Sequence, residues 1–218
     1  MRITKRTTLA ACLVTFAIAS VLGQSTPPKS ATYITKEEID LVNKQPGGDR
    51  QIRVVDIGHE NFAVGIVHRG ATGAAAAGAG GGGGAAARAN QPPAEPCGEK
   101  SATPPPAGTP TALTHDQQTE GYYIVSGGGT MVTGGHLVNG RRSAPDSAVT
   151  RELNGPSCSG PVVGPDVVRR DVKVGDIIII PPNTPHGWVN IPDHVDYLSF
   201  RPSTGILTAG YVHPAMKK

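Results

Sequence analysis

Apolar and polar positions divide the chain into one short helix followed by a series of strands. Thr35-Lys36-Glu37-Glu38 has the form of a capping box ahead of Ile39, Leu41 and Val42, and Pro46-Gly47 stops the segment, which predicts a helix from Lys36 to about Gln45. The period then changes from helical to alternating. Gln51–Ile57 reads as a strand, and Asn61–Arg69 as a second, with Phe62, Val64, Ile66 and His68 on one face. The core resumes at Thr111. Glu120, Tyr122 and Ile124 share one strand face while Tyr123 and Val125 take the other, and Ser126-Gly127-Gly128-Gly129 predicts a hairpin turn with Thr130–Thr133 returning. Further strands are predicted over Val167–Val174, over the isoleucines 177–180, from His186, and over His194–Arg201. The isoleucine run suits a strand buried on both faces and ends at Pro181-Pro182, because neither proline can donate to a ladder. In the last strand His194, Asp196, Leu198 and Phe200 lie on one face and Val195, Tyr197, Ser199 and Arg201 on the other; either can point inward. Phe200 and the Ile206-Leu207 pair are expected to close the edge of the sandwich.

Two long stretches break this pattern. Residues 70–112 hold an Ala/Gly run and then Pro-rich sequence, which buries too little apolar surface to offset its ordering entropy and is expected to be a mobile insertion. Residues 134–165 read as a second loop insertion, with His136 in a solvated turn. At the other end of the chain, Arg2, Lys5 and Arg6 precede the apolar run Leu9–Leu22, the layout of a secretory signal peptide with cleavage after Ala19 or Gly23. That run is too short for a permanent membrane anchor. The predicted organisation is a signal peptide over 1–23, a linker and short helix over 24–49, and one domain over 50–218.

Composition narrows the function classes. A chain of 218 residues with 38% hydrophobic content suits one domain with a sizeable core, and a net charge of +3 is too small to argue for nucleic acid. Removal of Cys12 with the signal peptide leaves Cys97 and Cys158, and two cysteines in an exported chain favour a disulfide, in the periplasm or outside the cell. There is no G-x-S-x-G elbow, no phosphate-binding loop and no C-x-x-C, so nucleophilic hydrolysis, phosphoryl transfer and thiol redox chemistry lack support.

The chemistry concentrates in two segments. Gly175, Pro181, His186 and Asn190 fall in the order and spacing G-x5-P-x-G-x2-H-x3-N, with Asn183 in place of the glycine, and this segment resembles the second motif of the cupin family. Asn tolerates positive φ better than most residues, so the departure is mild. Upstream, His115, Glu120 and Gly127 are similar to the family's first motif, H-x-H-x(3,4)-E-x6-G, with Leu113 at the position of the first histidine. The resemblance implies an all-β, cupin-type double-stranded β-helix, a jelly-roll barrel, carrying the short helix and the two insertions. It also implies a divalent transition metal, iron, manganese, zinc or nickel, on His115, Glu120 and His186. Two imidazoles and a carboxylate form a facial set that leaves positions open for water, oxygen or substrate. Leu113 puts that set in question, since it removes one family ligand. His68 either lines the cavity, even standing in for the missing ligand, or is a hydrogen-bonded rim residue.

Tyr122 and Trp188 are the candidate catalytic residues beside the metal set: Tyr122 as a proton donor or substrate partner, Trp188 as a wall of the pocket or simple core filling. Two functions follow from the resemblance. One is an exported metal-dependent enzyme acting on a small organic molecule, as an oxygenase or as a lyase or isomerase. The other is a noncatalytic module that holds a small ligand in the same cavity. Cupins commonly pair through edge strands, which makes a homodimer an expectation as well.

Overall fold

The structure is a computed structural model that describes residues 29–72, 94–203 and 206–217. The expected signal peptide and most of the Ala/Gly run lie outside these residues. After the helix α1 (Lys36–Asn43) come twelve strands: β1 (Asp49–Asp56), β2 (Asn61–Gly70), β3 (Pro96–Cys97), β4 (Thr111–His115), β5 (Glu120–Thr133), β6 (His136–Leu137), β7 (Gly140–Arg142), β8 (Ser157–Val163), β9 (Val168–Lys173), β10 (Ile177–Ile180), β11 (His186–Val189) and β12 (His194–Ser203). The capping box of α1 is formed as expected: Thr35 Oγ1 accepts from the Glu38 amide, and Glu38 accepts from the Thr35 amide. Among the described residues no helix is long and apolar enough to cross a membrane.

The strands form two antiparallel layers that share β5. Its first half pairs with β10 and β12, extending through β2 to β1. Its second half pairs with β9 and β11, and β11 continues through β4 and β8 to β7 and β3. A core of Val67, Tyr122, Ile124, Met131, Val172, Ile180, Ile191, Val195 and Tyr197 draws on both layers and fills the space between them. This is the cupin-type jelly roll that the motifs implied, two antiparallel layers joined through β5 around a common core. Helix α1 covers the opposite face of the first layer, where Val42 meets Ile52, Val64 and Ile66 with Leu198 and Phe200. The face of β12 left undecided by its alternation is thereby settled: Val195, Tyr197, Ser199 and Arg201 point inward and are buried. Phe200 lies beneath the helix rather than at a closing edge, whereas Leu207 packs with Val54 and Ala63.

Three sequence-based expectations are corrected. The glycines at 127–129 do not turn a hairpin; β5 runs unbroken for 14 residues and bends there from one layer to the other. Gly127 sits at φ 65° beside a register shift in the β5–β12 pairing, where β5 carries the extra residue Val125, and a Cβ on it would fall 1.9 Å from the His194 carbonyl oxygen, so glycine permits the bend. The isoleucine strand β10 is not buried on both faces. Alternation turns Ile178 and Ile180 towards the core, while Ile177 and Ile179 on the other face stand 70% and 74% exposed. Residues 134–165 are not simply a loop, because β6, β7 and β8 add to the second layer, and Cys158 lies on β8. Ser157–Val163 is rich in Ser, Gly and Pro, and its place against β4, rather than its composition, makes it a strand. The disulfide between Cys97 and Cys158 is present, with Cα atoms 6.1 Å apart, and ties the Pro-rich part of the first insertion to this layer.

Candidate metal centre

The two motif segments are brought together by the meeting of β4, β5 and β11. His115 ends β4, Glu120 begins β5, and His186 begins β11, directly opposite Leu113 and Thr133 in the sheet. The turn before His186 is held by Asn183, which adopts φ 61° and takes the left-handed conformation for which a glycine would otherwise serve. Its amide donates to the His115 carbonyl at 2.8 Å and its side-chain amide donates to the Asp116 carbonyl at 3.0 Å. One residue therefore fixes both loops relative to each other.

His115, Glu120 and His186 are 3%, 1% and 2% exposed, and their ligating atoms lie within 4.8 Å of one another. Nε2 of His115 is 3.0 Å and Nε2 of His186 is 3.2 Å from the same carboxylate atom, Glu120 Oε2. The far side of each ring decides where its proton sits. Nδ1 of His186 is 2.9 Å from the Thr184 carbonyl, which can only accept, so that nitrogen carries a hydrogen, and in the neutral ring Nε2 presents a lone pair. Ser157 Oγ donates to the Gly155 carbonyl at 2.9 Å and accepts from His115 Nδ1 at 3.1 Å, which leaves the His115 Nε2 lone pair facing inward as well. His186 Nε2 accordingly has no hydrogen-bond partner although it is buried. Two nitrogen lone pairs and a carboxylate oxygen thus face one point; Tyr122 sends its proton to that oxygen, but neither nitrogen is offered one, an arrangement relieved by a cation. The donor set fits a divalent transition metal, and the anchored Nδ1 atoms are the outer partners that orient ligating imidazoles.

The charges agree with this arrangement. Burial lowers the pKa of His115, more than Glu120 raises it, and keeps the imidazole neutral. Burial by itself would raise Glu120, but its neighbours, the Arg201 charge foremost, outweigh it and hold the carboxyl well below its usual range. Arg201 Nε donates to Glu120 Oε1 at 2.7 Å, and the Ser199 hydroxyl donates to the same atom at 2.6 Å. Tyr122 donates its phenolic proton to Glu120 Oε2 at 2.9 Å, and burial together with that carboxylate pushes its pKa well above the ordinary value.

Trp188 is half-buried and stacks on Tyr197 with ring centroids 5.5 Å apart; Tyr197 in turn lies 4.2 Å from Tyr122. The indole Nε1 is buried without a partner. His68 is not part of the cluster: it stands half-exposed on the outer surface, 2.6 Å from Asp196. His136 is likewise exposed, beside Glu99. Ser157, Ser199 and Arg201 are the members of the site that sequence reading missed. Ser157 falls in a stretch that reads as loop, and Arg201 shares the strand face that alternation could not orient.

Two surface cavities, of about 540 and 270 Å3, are lined by other residues. The smaller borders the end of β4 at Thr114 and Asp116, but none of His115, Glu120 and His186 lines either.

No family model and no curated protein matches the chain. Among solved structures it is similar to a cupin protein from Bacteroides fragilis, at 17% identity over 69% of this chain and 72% of that one, with a TM-score of 0.30. A conserved protein with a double-stranded β-helix domain from Klebsiella pneumoniae is similar at 14% identity over 81% and 94%, with a TM-score of 0.36. A recombinant oxalate oxidase in complex with glycolate is similar at 13% identity over 75% of this chain and 55% of that one, with a TM-score of 0.31. Likenesses this distant add nothing to what the residues themselves establish.

Proposed function

We propose that this is an exported, metal-dependent enzyme of cupin type that acts on a small organic molecule, with His115, Glu120 and His186 holding a divalent transition metal. The observation that carries the reading is the orphaned lone pair of His186 Nε2, buried and aimed with His115 Nε2 at one carboxylate oxygen. A bound metal of this class supplies Lewis acidity for lyase or isomerase chemistry, or oxygen activation for an oxygenase. Thr184 and Ser157 hold the two imidazoles by their Nδ1 atoms, so the ligating nitrogens are fixed before anything binds. Tyr122 keeps its phenolic proton, donated to Glu120 Oε2, and would serve as a donor to a ligand oxygen that took that place. Trp188 and Tyr197 wall the same core, and the free indole N–H of Trp188 is a second donor for a bound molecule.

Export is supported by the basic and apolar N-terminal pattern and by the disulfide, which persists in oxidising compartments, the periplasm or the outside of the cell. Pairing of two copies is supported by β10, an edge strand whose outer face carries Ile177 and Ile179 beside Tyr123 and Val125.

A noncatalytic ligand-binding module is the second reading, favoured by Leu113 at the position where the first motif carries a ligating histidine. Metal analysis of the purified mature protein separates the outcomes. One metal per chain in the wild type, lost in both His186→Ala and Glu120→Ala, supports the metal reading; a metal-free, folded wild type overturns it. Turnover of small carboxylic and hydroxy acids by the loaded protein then distinguishes enzyme from binding module.

A further inference from the structure

Arg201 is an unusual neighbour for a ligating carboxylate. Its guanidinium is buried, and besides its bond to Glu120 it donates from Nη2 to Asp49 Oδ2 at 2.7 Å and from Nη1 to Gln51 Oε1 at 3.3 Å. Room for it comes from Gly65, opposite Ser199 on β2. A Cβ there would stand 3.1 Å from Gln51 Oε1 and 3.4 Å from Arg201 Nη1.

The two oxygens of Glu120 are consequently divided between partners. Oε1 receives Arg201 Nε and the Ser199 hydroxyl; Oε2 faces both imidazoles and Tyr122. We infer that Arg201 and Ser199 are positioning residues that reserve Oε1 and present Glu120 to the metal through Oε2 alone, an inference that rests on the metal reading above. The guanidinium suits this task because its planar fork spans two carboxylates and an amide at once, which the point charge of a lysine does not. With Oε1 occupied, the chain contributes three ligating atoms rather than four, and one more position stays open for a small ligand.

The test uses the full protein, stripped with a chelator and titrated with cobalt(II), whose visible absorption reports the number of ligands. Wild type, Ser199→Ala and Arg201→Lys are compared, with circular dichroism as the check of folding. The expected result is one cobalt per chain in the wild type, roughly 10- to 100-fold weaker binding in both variants, the usual effect of losing an outer partner, and shifted visible bands as Oε1 is released. Variants that match the wild type in affinity and spectrum overturn the inference, as do variants that melt earlier while their folded fraction keeps the wild-type spectrum. Should Arg201→Lys fail to fold, Ser199→Ala decides the matter, since it removes a donor and no charge. A wild type that takes up no cobalt defeats the metal reading and this inference together, whereas cobalt uptake with unmoved variants defeats the inference alone.

Discussion

Arg201 and Glu120 meet at 2.7 Å in the interior of the barrel, with both side chains almost fully withdrawn from water. A charge in that position survives only because it is paired and hydrogen-bonded. Removing one partner by Glu120→Gln or Arg201→Met is expected to destabilise the fold by about 3–5 kcal/mol. The double substitution should cost clearly less than the sum, because the Arg201 and Glu120 charges then leave together and only the loss of the Arg201 contact to Asp49 remains. Urea unfolding of the metal-free proteins measures both quantities, and additive losses would show that the pair is not coupled.

Acid should weaken the metal-free protein in two stages. The His115 pKa is lowered in the fold by burial, so the unfolded chain takes up protons first and stability falls as the pH drops below about 6.5. Glu120 is held well below its usual range, chiefly by Arg201 against the cost of burial, so a further loss begins near pH 4 and continues downward. Both stages have the same sign. Thermal melts from pH 7.5 to 3.5 check this, and His115→Gln should flatten the upper stage while leaving the lower.

At Asn183 the backbone rather than the side chain makes the demand. With φ at 61°, Asn183→Gly should keep the turn, while Asn183→Val should cost about 1–2 kcal/mol for the left-handed conformation. Metal affinity should fall with the valine variant, since His115 and His186 are tied through this residue. Melting curves and metal titration together test the point, and a valine variant equal to the glycine one would refute it.

Cys97 and Cys158 are 61 residues apart in sequence, and the loop they close restricts the unfolded chain. Replacing both by serine is expected to lower stability by about 4 kcal/mol on the chain-entropy account. Reduction of the wild type should reproduce the loss in a denaturant titration; a reduced protein as stable as the oxidised one contradicts the expectation.

Ile177 and Ile179 offer a sharp contrast with buried positions. Lysine at both should leave the stability of a single copy within about 0.5 kcal/mol, as for other exposed sites, yet should convert a pair of copies into single ones. Light scattering coupled to size exclusion reads the mass directly, and an unchanged mass in wild type and variant removes β10 from consideration as the pairing edge.

Sequence alone indicated the helix at Lys36, the strand character of most of the barrel, the two cysteines that pair, and the three residues that converge at the candidate metal centre, because each is marked by local chemistry or by spacing within its own short segment. The capping box is satisfied within four residues, and the spacing of His115 and Glu120 is a property of a single turn. Tertiary structure decided what depends on neighbours far along the chain. Alternation placed Arg201 and Ser199 on one face of β12 without saying which face was inside, and only helix α1 covering the other side settled it. The three glycines of β5 read as a turn until a second layer gave that strand somewhere to bend towards. Whether a Ser, Gly and Pro-rich stretch becomes β8 is likewise fixed by which strand lies beside it, and whether an isoleucine is covered or left in water by what packs on its face of the sheet. Burial and pairing are properties of the assembled sheets, and no single segment carries them.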